Sequence, residues 1–145
     1  MGNGSKGGIR VEGSFGLRSL VFHTPIMTTQ EIADRLVALC RKEEWETAQK
    51  ELFAADAISV EPDSSPNPNK VTKGIEGILE KGRQFASIIE QVHSHEVSEP
   101  IVSPGAFACS MAIDVTMKGQ GRMQMSEICV YEVKDGKIVA ERFFA

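Results

Sequence analysis

From Thr28 onward the apolar positions recur first at helical spacing and then at strand spacing. Thr28 and Glu31 stand three apart, the spacing of a capping box, in which each side chain satisfies a free backbone N–H of a first helical turn. Ile32, Leu36, Leu39 and Cys40 then fall on one stripe of a helix. After a polar break from Arg41 to Glu44, a second, short helix is predicted with Trp45, Ala48, Leu52 and Phe53 inward. Residues 57–61 read as a strand stopped by Pro62, and residues 62–70, rich in Pro, Asn and Ser, as a loop. A third helix follows with Ile75, Ile78, Leu79, Phe85, Ala86 and Ile89 on its buried side. Gly74, Gly77 and Gly82 weaken it by about 1 kcal/mol each relative to Ala, and close contact between helix and sheet accounts for them.

Beyond Gln91 the pattern becomes β. Segments 92–102, 106–118, 122–133 and 138–144 are separated by Ser103-Pro104-Gly105, Gly119-Gln120-Gly121 and Asp135-Gly136. Asp-Gly between two alternating runs predicts a tight hairpin, because both positions tolerate positive φ. Helices first and hairpins afterwards give an α+β domain with an antiparallel sheet covered by three helices on one face. In 106–118, Cys109, Met111, Ile113, Val115 and Met117 share one side, and Met123, Met125, Glu127, Cys129 and Tyr131 do so in the next strand. Ile128 and Val130 leave apolar surface on the other side as well, so a second copy of the sheet is expected to cover it in a homodimer.

Composition narrows the function classes. The 145 residues suit one domain, and 41% hydrophobic with 25% charged residues is an ordinary globular balance. A formal charge of −4 argues against a nucleic-acid partner, whose binding rests on Lys and Arg neutralising phosphates. No apolar run approaches the ~18 residues that span a membrane, so no membrane partner is expected. Cys40, Cys109 and Cys129 are odd in number and lie in apolar segments; they read as buried thiols in a reducing, cytoplasmic setting, with a Cys109–Cys129 disulfide as the alternative. Residues 1–26 hold six of the thirteen glycines and read as a weakly ordered leader or extension, the domain proper running over 27–145. Gly2, Gly4 and Gly7 spell G-x-G-x-x-G with no strand before them, which removes the dinucleotide reading. A basic, acid-poor transit peptide is the functional alternative for this leader.

Glu44-Trp45-Glu46-Thr47-Ala48, Leu52 to Ala57, Gly74-Ile75-Glu76-Gly77-Ile78 and Asp135-Gly136-Lys137-Ile138-Val139 follow one another in an order that resembles the SnoaL-like branch of the nuclear-transport-factor-2-like superfamily. The resemblance spans roughly residues 28–145 and implies a cone-shaped, cystatin-like α+β roll, a curved antiparallel sheet wrapped around three helices with a pocket at its open end. It also implies a range of activities, among them polyketide cyclases, ketosteroid isomerases, epoxide hydrolases and dehydratases, beside non-enzymatic binding domains. Fold alone does not choose among them.

Glu61 falls where ketosteroid isomerases place the Asp that shuttles a proton. A carboxylate projecting into an apolar pocket has its charged form disfavoured and so becomes a better base; the competing reading is a solvated Glu beside a Pro-rich loop. The tyrosine and the carboxylic acid that hold the enolate oxygen in those enzymes align with Leu36 and Cys129, neither of which donates a comparable hydrogen bond. Asp114 and Glu127 form a second candidate pair. A turn centred on Gly119-Gln120 puts them on one side, whereas a three-residue turn puts them on opposite faces. His93 and His95, two apart on one strand face, suit a proton carrier or a metal ligand, and the absence of a third ligand in the sequence favours hydrogen bonding over metal. Trp45, Leu36, Met125, Glu127, Cys129 and Tyr131 are candidate pocket wall, and Glu141 with Arg142 an ion pair at the sheet edge.

The expectation is therefore a cofactor-free protein that acts as an isomerase, cyclase or dehydratase on a small hydrophobic carbonyl compound, with Glu61 as base and His93 or Asp114 as second acid–base group. Two alternatives stand beside it. One is a non-catalytic binding or dimerisation domain; the other is a pocket filled by its own side chains, such as Trp45, Phe85 and Met125.

Overall fold

The computed structural model describes residues 26–145; the leader read from residues 1–26 lies, apart from Ile26, outside the described residues. Two helices, α1 (Thr29–Arg41) and α2 (Trp45–Leu52), precede β1 (Phe53–Val60) and a short β2 (Val71–Lys73). Then come α3 (Ile75–Ile88), β3 (Ile89–Val97), β4 (Ile101–Val102), β5 (Ala106–Met117), β6 (Gly121–Lys134) and β7 (Lys137–Phe144). The capping box at Thr28 forms, with the hydroxyl accepting from Glu31 N and the Glu31 carboxylate from Thr28 N, each at 3.2 Å.

The strands form one curved sheet in the order β2-β1-β7-β6-β5-β3, with β4 on β5. Its neighbours are antiparallel except β1 and β7, which run parallel. This pair corrects the purely antiparallel expectation. The three helices cover the concave face. Ile32, Leu36, Cys40, Leu52 and Ile78 pack there against Phe53, Phe107, Tyr131 and Ile138, and each such side chain contributes about 1.5–3 kcal/mol on burial. Phe107 stacks on Tyr131 with ring centroids 4.7 Å apart.

Three details of pairing decide where functional groups point. Met117 pairs with Gly121, so the β5–β6 turn spans residues 118–120 and is of the three-residue kind, with Gly119 at φ 72° and Gly121 at φ 79°. In β3, Val92 pairs with Val115 and Ser94 with Asp114, which leaves His93 as an extra residue in a bulge. In β7, Ile138 pairs with Val133 and Ala140 with Glu132, which leaves Val139 extra. A bulge shifts the alternation by one, so residues beyond it exchange faces.

Elsewhere the elements differ from the pattern at their ends. Phe53 starts β1 instead of closing α2, and Ile89 starts β3 instead of lying on α3. Only the first half of α3 packs into the core, through Ile78 and Leu79; Phe85 and Ala86, expected inside, are exposed. On the convex face Ile128 and Phe144 pair directly and are 53% and 56% exposed, the surface on which the expectation of a second copy rests.

Candidate functional site

The exposed half of α3 has a reason. Its apolar side faces a cavity of about 340 Å³ between the helices and the concave sheet, whose wall includes Lys81, Gly82, Phe85 and Ala86. From α1 and α2 come Leu36, Cys40 and Trp45; from the sheet come His95, Met111, Ile113, Met125, Tyr131 and Phe143. The volume lies in the range of small-ligand sites. Trp45, Phe85 and Met125 stand around the space without filling it, which sets aside the reading of a pocket plugged by these residues.

Three carboxyls and one ammonium reach this apolar space: Glu61, Glu127, Glu141 and Lys81. Glu61 follows β1 on the side of Ala57 and Ser59. It reaches the cavity as half of an ion pair, Lys81 Nζ lying 2.6 Å from its Oε1. The same ammonium donates to Ser59 Oγ at 2.6 Å, and the Ser59 hydroxyl donates to Glu141 Oε1 at 2.7 Å. A continuous chain thus runs Glu141–Ser59–Lys81–Glu61 across β7, β1 and α3. Lys81 also sits 5.6 Å from the centre of the Phe143 ring, within reach of a cation–π attraction.

Burial sets the proton affinities. Glu141, 4% exposed, is pushed up to about 7 by desolvation, against the opposing pull of Ser59 and Lys81. Glu127 is raised by desolvation and then by the charge of Glu61, and its one side-chain partner is the Cys129 thiol, 3.8 Å from Oε1. His95 is lowered by desolvation, which favours the neutral imidazole. Its ring meets Trp45 edge-on at 5.2 Å, and its Nδ1 is buried without a hydrogen-bond partner.

Several expected site residues lie elsewhere. The three-residue turn pairs Asp114 with Gln124 and Glu127 with Met111, so the two acids occupy opposite faces of the sheet. Asp114 is held by the Arg122 guanidinium at 2.9 and 3.0 Å, which pulls its carboxyl down to about 2. The bulge likewise separates the histidines: His93 bonds Thr116 Oγ1 at 2.6 Å on the side of Asp114, and His95 faces the cavity. Both candidate second acid–base groups, Asp114 and His93, are therefore outside the cavity. Cys129 lies beneath the wall, fully buried and opposite Cys109, and all three cysteines are free thiols. Among the described residues no three His, Cys, Asp or Glu side chains are grouped to hold a metal ion. Glu141 and Arg142 do not pair; Arg142 meets Glu132 instead, at 3.4 Å.

The sequence reading missed Ser59, Lys81 and Glu141 as a group. Lys81 is three residues after Ile78 and four before Phe85, which marks it as a cation on the apolar side of a helix. Ser59 precedes Glu61 by two in the strand predicted over residues 57–61 and so shares its face. Glu141 carried no such signal, because plain alternation from Ile138 points it outward and only the bulge at Val139 turns it in.

A SnoaL-like domain family matches the sequence over residues 27–145. The chain belongs to this family. Its fold is that of the nuclear-transport-factor-2-like superfamily. Among solved structures, this SnoaL-like protein is similar to a candidate SnoaL-like polyketide cyclase from Mesorhizobium loti, at 33% identity and a TM-score of 0.75, over 82% of this chain and 100% of that one. A protein with a cystatin-like fold from Xanthomonas campestris aligns with a TM-score of 0.68 at 15% identity, over 81% of this chain and 90% of its own. A protein from Catenulispora acidiphila with a ketosteroid isomerase-like fold, solved with trimethylamine, aligns with a TM-score of 0.62 at 18% identity, over 81% and 87%. At such identities the last two show the shared fold. No curated protein matches the sequence. Among the described residues no helix is long and apolar enough to cross a membrane.

Proposed function

We propose that this SnoaL-like protein moves a proton on a small, mostly apolar carbonyl compound held in the cavity, in the manner of an isomerase, cyclase or dehydratase. The observation that carries this reading is the Glu61–Lys81 pair, 2.6 Å apart on the wall of a mostly apolar cavity. Glu61 takes a proton from the carbon beside the carbonyl. The C–H electron pair becomes the new C=C bond, and the carbonyl π pair moves to oxygen. Two of the three Lys81 N–H bonds are engaged by Glu61 and Ser59; the third is free to meet that oxygen, whose negative charge it stabilises in a site of low dielectric. Glu127, whose burial favours its protonated form, is placed to return a proton at a second position, after which Glu61 gives up its proton and Glu127 regains one through solvent. Lys81 supplies the oxygen partner that Leu36 and Cys129 could not.

The reading is tested by proton NMR of small ketones and enones in D2O with the protein present. Enzyme-dependent deuterium incorporation beside the carbonyl is expected, falling about 10²–10⁴-fold in Glu61→Gln and about 10²–10³-fold in Lys81→Met. A second reading, binding without turnover, is favoured by the fact that Lys81 already occupies one Glu61 oxygen. Saturable binding without any exchange decides for it.

A further inference from the structure

Lys81 leaves the backbone of α3 with four rotatable bonds between Cα and Nζ, and an unanchored ammonium on such a stem would spend its time in water. In this structure it is 25% exposed, turned in toward the sheet. Glu61 alone does not explain that placement, since Glu61 lies at the end of β1 beside the loop and is itself 21% exposed. The second contact is Ser59, which is fully buried and whose hydroxyl is aimed at Glu141. A Ser hydroxyl that donates to a carboxyl turns its lone pairs the other way, and here they face Lys81 Nζ at 2.6 Å. Glu141 reaches this point because of the bulge at Val139, an irregularity that costs a regular ladder and places one acid in the core.

We propose that Ser59 and Glu141 are positioning residues that fix Lys81 over the cavity, Glu141 orienting the Ser59 hydroxyl and the hydroxyl holding the ammonium. This rests on the reading of Lys81 as the ligand-oxygen partner, although the chain itself is a property of the ligand-free protein. Neither Ser59 nor Glu141 needs to touch the ligand. The chain keeps its connectivity whether Glu141 is neutral or ionised, because a carboxyl oxygen accepts from Ser59 in both states. What changes is the charge seen by Lys81. The titratable groups facing Glu141 are Cys40 from α1, Glu61 beyond β1, Lys81 from α3, and Glu127, Cys129 and Tyr131 from β6. Among these Lys81 is the one cation.

The test reads the Lys81 ammonium directly, by 15N–1H correlation of lysine-labelled full-length protein without ligand, the signal being assigned by its absence in Lys81→Arg. Wild type should show a Lys81 Nζ peak protected from exchange, moving between pH 6 and pH 8. Ser59→Ala and Glu141→Leu should lose the peak. Glu141→Gln, whose amide oxygen still accepts from Ser59, should keep it but without the movement. A peak that persists unchanged in Ser59→Ala, or one that still moves between pH 6 and pH 8 in Glu141→Gln, overturns the proposal. Should Glu141→Leu fail to fold, Ser59→Ala and Glu141→Gln decide alone. Absence of any exchange or turnover in the wild type, with the peaks behaving as expected, would count against the catalytic reading and leave the positioning chain standing.

Discussion

Burying Glu141 should make this protein less stable at pH 8 than it would be with a neutral side chain there. The folded state raises the Glu141 carboxyl from an ordinary 4.5 to about 7, with desolvation as the main cause. A raised carboxyl binds its proton more tightly when folded. Its penalty is therefore absent below pH ~4.5, grows as the pH climbs toward 7, and is complete above. At 1.36 kcal/mol for each decade of proton affinity, the full penalty is about 3 kcal/mol, a large part of the ~5–15 kcal/mol that holds a domain folded. Glu141→Gln removes the titration and keeps an oxygen for Ser59. Urea unfolding of both proteins at pH 4 and pH 8 measures the effect, every other titrating group being shared. The variant should gain about 3 kcal/mol on wild type between the two pH values, a relative midpoint shift of roughly 1–3 M urea. Equal differences at pH 4 and pH 8 would refute the assignment of a desolvated carboxyl to this position.

Asp114→Asn should leave ligand binding and turnover unaltered, because Asp114 lies on the face away from the cavity. It should still destabilise the fold near neutral pH. The depressed Asp114 carboxyl stabilises above its ordinary 3.8 and loses that contribution as pH falls to about 2, so the gap between wild type and variant should close in acid. Gly82→Ala should be tolerated or stabilising by up to about 1 kcal/mol, since a Cβ there meets Gln49 Oε1 at an ordinary 3.6 Å; a lowered melting temperature would count against the packing described. A thiol reagent should label none of the three cysteines in the native protein and all three in denaturant, as Cys40 is pushed up to about 12 and all three are buried.

Where periodicity and capping dominate, the sequence is a good guide to this fold. The Thr28–Glu31 box, the Ile32–Leu36–Cys40 stripe and the Asp135-Gly136 hairpin all depend on neighbours within a few residues. Leu36, Trp45, Met125, Glu127 and Tyr131 line the cavity because they lie on faces whose alternation is regular. The errors cluster where one residue is inserted into a ladder. The turn at 118–120 separates Asp114 from Glu127, the bulge at His93 separates the two histidines, and the bulge at Val139 brings Glu141 inside. A bulge costs little locally and leaves no compositional mark, so only the long-range register reveals it. The β1–β7 pairing was invisible for the same reason, as parallel partners need no connecting turn.

That pairing has a consequence for biogenesis. Because β7 is threaded between β1 and β6, β1, paired early with β2 on one edge, waits on its other edge for a partner that emerges some eighty residues later, as the Ser59–Glu141 separation of 82 shows. Until then the nascent chain exposes two unfinished sheet edges and half a binding chamber, a slow and aggregation-exposed passage. A small molecule that fits the chamber would therefore act late, as a ratchet on a completed fold rather than a template for it.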